Sequence, residues 1–284
     1  MLIIVGWVLV IVVVFGGFVI SGGQLGALVH PVKLMMIVGA AAGAFLASCS
    51  PGALKAVLKA VPTAFKGSKY NKAAFTELLC LLYEILNKTR KEGLIAIEAE
   101  IEKPEESPIF SKYPAVLADH HLVEFVCDYL RMMVSGSMDP NDIEDLMDQE
   151  IDTHHKEAEV PIALVNKLGD SMPAFGIVAA VMGVVITMGS LHLPPAQLGP
   201  MIGAALVGAF VGILFGYAIV GPIPTALEHK VRDATQAFEC VKQVLLASLS
   251  GSSPAIAIEY GRKALFYANR PSFAELEEAV KARK

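Results

Sequence analysis

Apolar residues are laid along this chain in two ways. Over 2–20, 34–49 and 171–227 they run on without a single Asp, Glu, Lys or Arg. Over 72–167 and 228–284 they return at three- and four-residue steps with charges between them. A helix that crosses a bilayer needs about 20 consecutive apolar residues, so the first pattern predicts membrane spans. The 19 residues 2–20 make about 28 Å of helix. The long run holds two spans and a turn. Four spans follow, at about 2–20, 34–49, 168–189 and 199–223.

The second pattern predicts amphipathic helices. Phe75, Leu78, Leu79, Leu82, Ile85, Leu86 and Thr89 form one stripe, while Glu77, Glu84, Lys88, Arg90 and Lys91 stay off it. Gly93 interrupts, and a short helix from Leu94 to Glu102 ends before Pro104. A further helix over Leu117–Val134 closes at Ser135-Gly136. Asp139-Pro140 starts an acidic helix, with Asp as N-cap and Pro at the first position. Val231, Ala234, Phe238, Val241 and Leu245 carry the fourth span on into an amphipathic helix. The last helix opens on Ser272 with Glu275 three residues later, a capping box.

Basic residues orient the spans. The loop 21–33 holds one, Lys33, and 190–199 holds none, whereas 51–167 holds 13 and 228–284 holds 9. Loops poor in Lys and Arg face away from the cytoplasm. Both termini and the long middle segment therefore lie inside. The fold class is an all-α integral membrane protein with a large helical cytoplasmic domain between spans 2 and 3 and a helical cytoplasmic tail. The predicted domains are 1–50 (first hairpin), 51–167 (cytoplasmic), 168–226 (second hairpin) and 227–284 (cytoplasmic tail).

Composition narrows the function. With 54% hydrophobic and 18% charged residues, the chain is too apolar for an ordinary soluble protein. A net charge of −5 offers no basic surface for nucleic acid. Cys49, Cys80, Cys127 and Cys240 lie far apart, as reduced buried thiols do, rather than as a disulfide framework. No Walker A loop, GxGxxG turn or HExxH helix occurs, and nothing points to an enzyme or to a cofactor.

The most informative feature is an absence. A chain that moves protons or sodium needs a titratable group at mid-depth. Here the 28 acids fall only in 77–170 and 228–284. Either the chain transports nothing or a partner supplies the carboxylate. Small residues recur instead: Ala204, Gly208, Gly212 and Gly216 at four-residue steps, and Gly176, Ala179, Ala180 and Gly183 on the other helix. Such spacing lets helix backbones approach closely in lipid. Pro173 and Pro222 bracket the pair. A proline in a helix's first turn costs little, but the apolar pattern runs on past Pro222, where a freed carbonyl would make a hinge. Arg90 and Glu98 flank Gly93 and, from pattern alone, belong to a solvated face. The doublets His120-His121 and His154-His155 lack metal-ligand spacing, because adjacent helix positions point apart. The run Asp139–Glu150 has Glu144 where a calcium loop needs Gly, so no metal site is expected.

Particular segments resemble the MotA/PomA family of flagellar motor stator proteins, distantly related to the ExbB/TolQ transducers. They are VFGGFVISGGQLGAL, SPIFSKYPAVLAD, GDSMPAFGIVAAVMGVV, GAFVGILFGYAIVGP and RPSFAELEE. The resemblance covers nearly the whole chain and implies a subunit of the flagellar stator in the bacterial inner membrane. Five copies would surround two of MotB, whose single span carries the ion-binding Asp. Ion passage would turn the pentamer against the rotor protein FliG. It implies that Arg90 and Glu98 engage FliG, that Pro173 and Pro222 shape the coupled conformational change, and that Ala180, Ala209 and Tyr217 line the ion path. Alanine at 180 favours protons over sodium as the transported ion. The alternative is an ExbB-like transducer serving a non-flagellar system, although those proteins have three spans and lack the extra N-terminal hairpin.

Overall fold

The computed structural model describes residues 2–136 and 139–282, and every regular element among them is helical. In chain order these are α1 (Leu2–Ile20), a 3-10 turn (Leu25–Leu28), α2 (Pro31–Ser48), α3 (Pro51–Ala64) and α4 (Lys72–Glu92). A second 3-10 turn (Leu94–Ile97), α5 (Glu98–Glu102), a third (Phe110–Lys112), α6 (Pro114–Leu117) and α7 (His120–Ser135) follow. Then come α8 (Pro140–Met188), α9 (Pro195–Ile213), a π-helical segment (Leu214–Val220), α10 (Pro222–Leu249), α11 (Pro254–Ala264) and α12 (Phe273–Ala282). α2, α3, α6, α8, α9, α10 and α11 each begin on a proline, whose fixed φ suits the first helical position and whose missing N–H is not needed there.

Four helical stretches are long and apolar enough to cross a membrane: Leu2–Ile20, Leu25–Ser48, Pro140–Met188 and Pro195–Leu249. The all-helical, four-span class is therefore the observed one. Two features were not expected. The acidic helix that opens after Asp139 does not stop before the third span; α8 is one helix of 49 residues with Pro161 and Pro173 inside it. A change from polar to apolar composition is a change of solvent, not a backbone stop. Nothing along that stretch adopts the left-handed conformation of a helix C-cap. The other is Lys33, grouped in sequence with the outer loop but observed as the third residue of α2.

The chain forms two compact units. One comprises Met1–Gly67 with Ala158–His229, the other Ser68–Glu157 with Lys230–Lys284. The first holds the apolar helices. The whole of α1 lacks a buried residue, as befits a helix whose surroundings are as apolar as itself.

The second unit is built like a water-soluble domain. The stripe on α4 is its centre: Phe75, Leu78, Leu79, Leu82, Ile85 and Leu86 are all buried. Phe125 lies between Tyr129, tilted against it, and Phe238, edge to face, with ring centroids 4.7 and 5.1 Å away. Burying each such side chain stabilises by about 1.5–3 kcal/mol. Helix ends follow their sequence signals. Asn71 caps α4 by accepting the Ala74 N–H at 3.0 Å, and Gly136 closes α7 at φ 63°. Ser272 and Glu275 close a reciprocal capping box at 2.6 and 3.2 Å. None of the four cysteines forms a disulfide, and burial pushes the Cys127 thiol up to about 12.

Candidate functional site

In the first unit, the apolar half of α8 and the helix opposite it meet along a line of glycines. A Cβ on Gly212 would stand 2.6 Å from the Met172 carbonyl oxygen. One on Gly176 would stand 2.9 Å from that of Gly208, and one on Gly208 3.1 Å from the Ala179 Cβ. Backbone therefore lies on backbone, as small residues permit. The sequence pattern put Ala204 in this line; the structure puts Ala205 there, fully buried, against Gly183. The helix turns 3.6 residues per turn, so a strict four-residue step drifts off the contact. One three-residue step, from Gly208 to Ala205, restores it.

The two prolines lie at the end of the same line that is farther from the 189–194 turn. Pro173 has no N–H for the Gly169 carbonyl four residues before it. That carbonyl oxygen stands 2.6 Å from where a Gly216 Cβ would be, and the Pro173 Cδ stands 2.7 Å from it. Gly216 in turn accepts the Gly221 N–H at 2.9 Å across a five-residue step. This is the wider π turn of Leu214–Val220, which ends where Pro222 begins α10. The helix continues past Pro222 from this wider turn. Such segments are rare, short and costly enough to mark functional positions. Gly216 is thus the shared contact of both proline regions. The sequence showed it only as one small residue among several.

Of the three residues placed on the ion path by resemblance, Ala180 and Ala209 fall on neighbouring turns of the line. The Ala180 nitrogen lies 3.1 Å from a Gly208 Cβ, and the Ala209 Cα 3.4 Å from a Gly176 Cβ. Tyr217 stands apart from them, 62% exposed. Lys33 joins the group from α2. Its Nζ donates to the carbonyl oxygens of Ala205 at 3.1 Å and Ala179 at 3.4 Å. Gly183 leaves the space that the amine fills.

In the second unit, Arg90 closes α4 and Glu98 opens α5, both exposed. Gly93, at φ 90°, makes the turn between them in a conformation that other residues resist. Neither charge has an ion-pair partner among the described residues. Those beneath them do. Lys88 pairs with Glu100 at 2.8 Å, Ser107 donates to the same carboxylate, and Arg131 donates to the Ile101 carbonyl at 2.8 Å. Burial alone would raise the Glu100 carboxyl, but the hydrogen bonds from Lys88 and Ser107 outweigh it and hold the group below its ordinary range. The turn is fastened from below and leaves two charges outward. His121 and His154 meet only edge to face at 6.1 Å, and no cluster of three or more ligand side chains occurs among the described residues.

Comparison with known proteins gives consistent matches. Residues 4–93 match the family model described as Motility protein A N-terminal. Residues 118–240 match that of the MotA/TolQ/ExbB proton channel family. Motility protein A of Salmonella typhimurium is 49% identical over 99% of this chain and 96% of its own length. The flagellar MotAB stator complex of Bacillus subtilis contains a chain 26% identical, with a TM-score of 0.76 over 97% of this chain and 98% of that one. A chain of the C. jejuni MotAB structure, 21% identical, superposes with a TM-score of 0.78 over 95% of this chain and 98% of that one, which shows the same fold.

Proposed function

The chain belongs to the Motility protein A family, and from that premise we propose how its parts share the work of a flagellar stator. It is the membrane-embedded stator subunit, and its work is mechanical rather than enzymatic. Its second hairpin is one wall of an ion path. The titrating carboxylate of that path is an Asp on the single span of a MotB partner. Five copies of this chain surround two of the partner in the inner membrane, with both termini in the cytoplasm, and the ion is a proton. Arg90 and Glu98 meet charges of opposite sign on the rotor protein FliG. Exposed pairs of this kind are individually weak, as suits a contact that forms and breaks repeatedly. Pro173 and Pro222, gathered at Gly216, are where ion passage bends the hairpin.

The observation that carries this reading is the pairing of an uncharged 171–227 with backbone-close glycine packing. A wall so tightly built holds no group that binds an ion, so the group comes from elsewhere. Residues 4–93 match a family model specific to motility proteins, which favours a stator over an ExbB-like transducer. The decisive experiment expresses the chain with and without its MotB partner in flagellated cells lacking stators. Swimming is expected only with both, and swimming with this chain alone would overturn the division of labour. Collapsing the proton gradient should stop rotation while removal of sodium should not.

A further inference from the structure

Lys33 is the sole Asp, Glu, Lys or Arg in residues 2–48. Its ammonium is not at the outer surface of the second hairpin. Ala179 lies nine residues before the end of α8, and Ala205 ten residues after the start of α9. Gly183, whose added Cβ would stand 2.8 Å from the amine, lies five residues before that end of α8, so at 1.5 Å per residue the amine sits about 7–15 Å inward of the hairpin's outer turn. There it has two carbonyl oxygens as partners, at 3.1 and 3.4 Å, and no carboxylate. An ammonium so placed is costly to keep and marks function by default. Gly183 and Ala205 are both small enough to admit it.

We propose that Lys33 sets how tightly the ion path holds its cation, its fixed positive charge raising the energy of a cation bound at the same level of the hairpin. This rests on the stator reading given above. The hairpin is one layer of helices, each about 10–12 Å across. A cation on either side of it therefore sits within about 12 Å of the ammonium. At that separation and an effective dielectric of about 20, two like charges change an affinity about tenfold. A path must bind its ion well enough to take it up and weakly enough to let it go, and Lys33 supplies the second half of that balance. Few other groups compete. α1 contributes no titratable side chain, α8 none between Asp170 and Met188, and α9 with the π segment only Tyr217; His30, just ahead of α2, and His192, in the turn between α8 and α9, are the others.

The test uses the whole complex with its single-span partner, both as swimming in stator-deficient cells and as proton flux in proteoliposomes, each across acid to alkaline pH. Lys33→Met removes charge and hydrogen bonds, Lys33→Gln keeps an N–H donor without the charge, and Lys33→Arg keeps the charge. Met and Gln are both expected to move the midpoint of the pH profile alkaline by about one unit, the equivalent of tenfold tighter proton binding. Arg should match the native chain. An unmoved midpoint in Met and Gln, with flux intact, would overturn the proposal. So would Gln behaving as the native chain, or Met and Gln both failing to assemble where Arg succeeds, since either would make the ammonium a clamp. Failure of the native complex to swim or conduct would instead overturn the stator reading.

Discussion

The glycine line of the second hairpin and the core around α4 solve the same problem with opposite materials. Both hold helices together. In the second unit, large side chains do so: Phe75, Phe125, Tyr129 and the leucines of α4 are shut away from water. The energy comes from removing apolar surface from water. In the first unit that source is missing, because lipid is as apolar as leucine. There the large residues point outward, with Val181, Val185 and Ile186 each more than half exposed. Glycines face inward so that backbone meets backbone. Side-chain volume stabilises one unit and would destroy the contact in the other.

This contrast can be broken most sharply at Gly212. Adding one methyl there, Gly212→Ala, meets the Met172 carbonyl at 2.6 Å and the Gly176 Cα at 2.8 Å, both backbone. Loss of swimming and of complex recovered from detergent is expected, with helix content unchanged by circular dichroism. The converse change in the second unit removes volume. Leu82→Ala, at a fully buried position, should destabilise that unit by about 2–5 kcal/mol, read as earlier proteolysis of the 68–157 region. A smaller effect on stability and a large one on torque is expected of Arg90→Glu combined with Glu98→Lys. Insertion and partner binding should persist while swimming speed falls, and unchanged speed would return both to a merely solvated face.

The mildest change is with pH, and it should appear in the second unit. Burial first, then the neighbouring His121, holds the His154 imidazole below its ordinary value of 6.5; its ring lies 4.7 Å from that of Phe238. The folded form resists protonation of His154 to lower pH than the unfolded chain, which takes up a proton as pH falls through 6.5. Stability is therefore full above that value and declines in acid. His154→Phe should flatten the melting temperature between neutral and mildly acidic pH.

Much of this was legible in the sequence because it depended on period and charge alone. The four spans, the α4 stripe, the Ser272–Glu275 box and the outward setting of Arg90 and Glu98 all follow from those two signals. What was hidden depended on three dimensions. The shift from Ala204 to Ala205 is decided by where two helix surfaces touch. The π turn leaves no compositional trace, since Leu214–Val220 is as apolar as the α-helical residues before it. Lys33 was counted as a loop charge because a census knows nothing of the reach of a four-carbon side chain. The pairing of Lys88 with Glu100, 12 positions apart, likewise required the turn at Gly93 to be drawn.

The π segment is, in effect, a stored residue of slack. Its wide turn holds one residue more than an α-helix needs. Resolving it into α-helix would screw the helix beyond it by about 100° and advance it by about 1.5 Å. Slack of this kind ordinarily wanders, one hydrogen bond being exchanged for the next. Here it has nowhere to go. Pro222 offers no N–H to pass it forward, and on the other side Gly216 is pressed against Pro173. The chain keeps a quarter-turn of rotation wound and parked at one fixed spot.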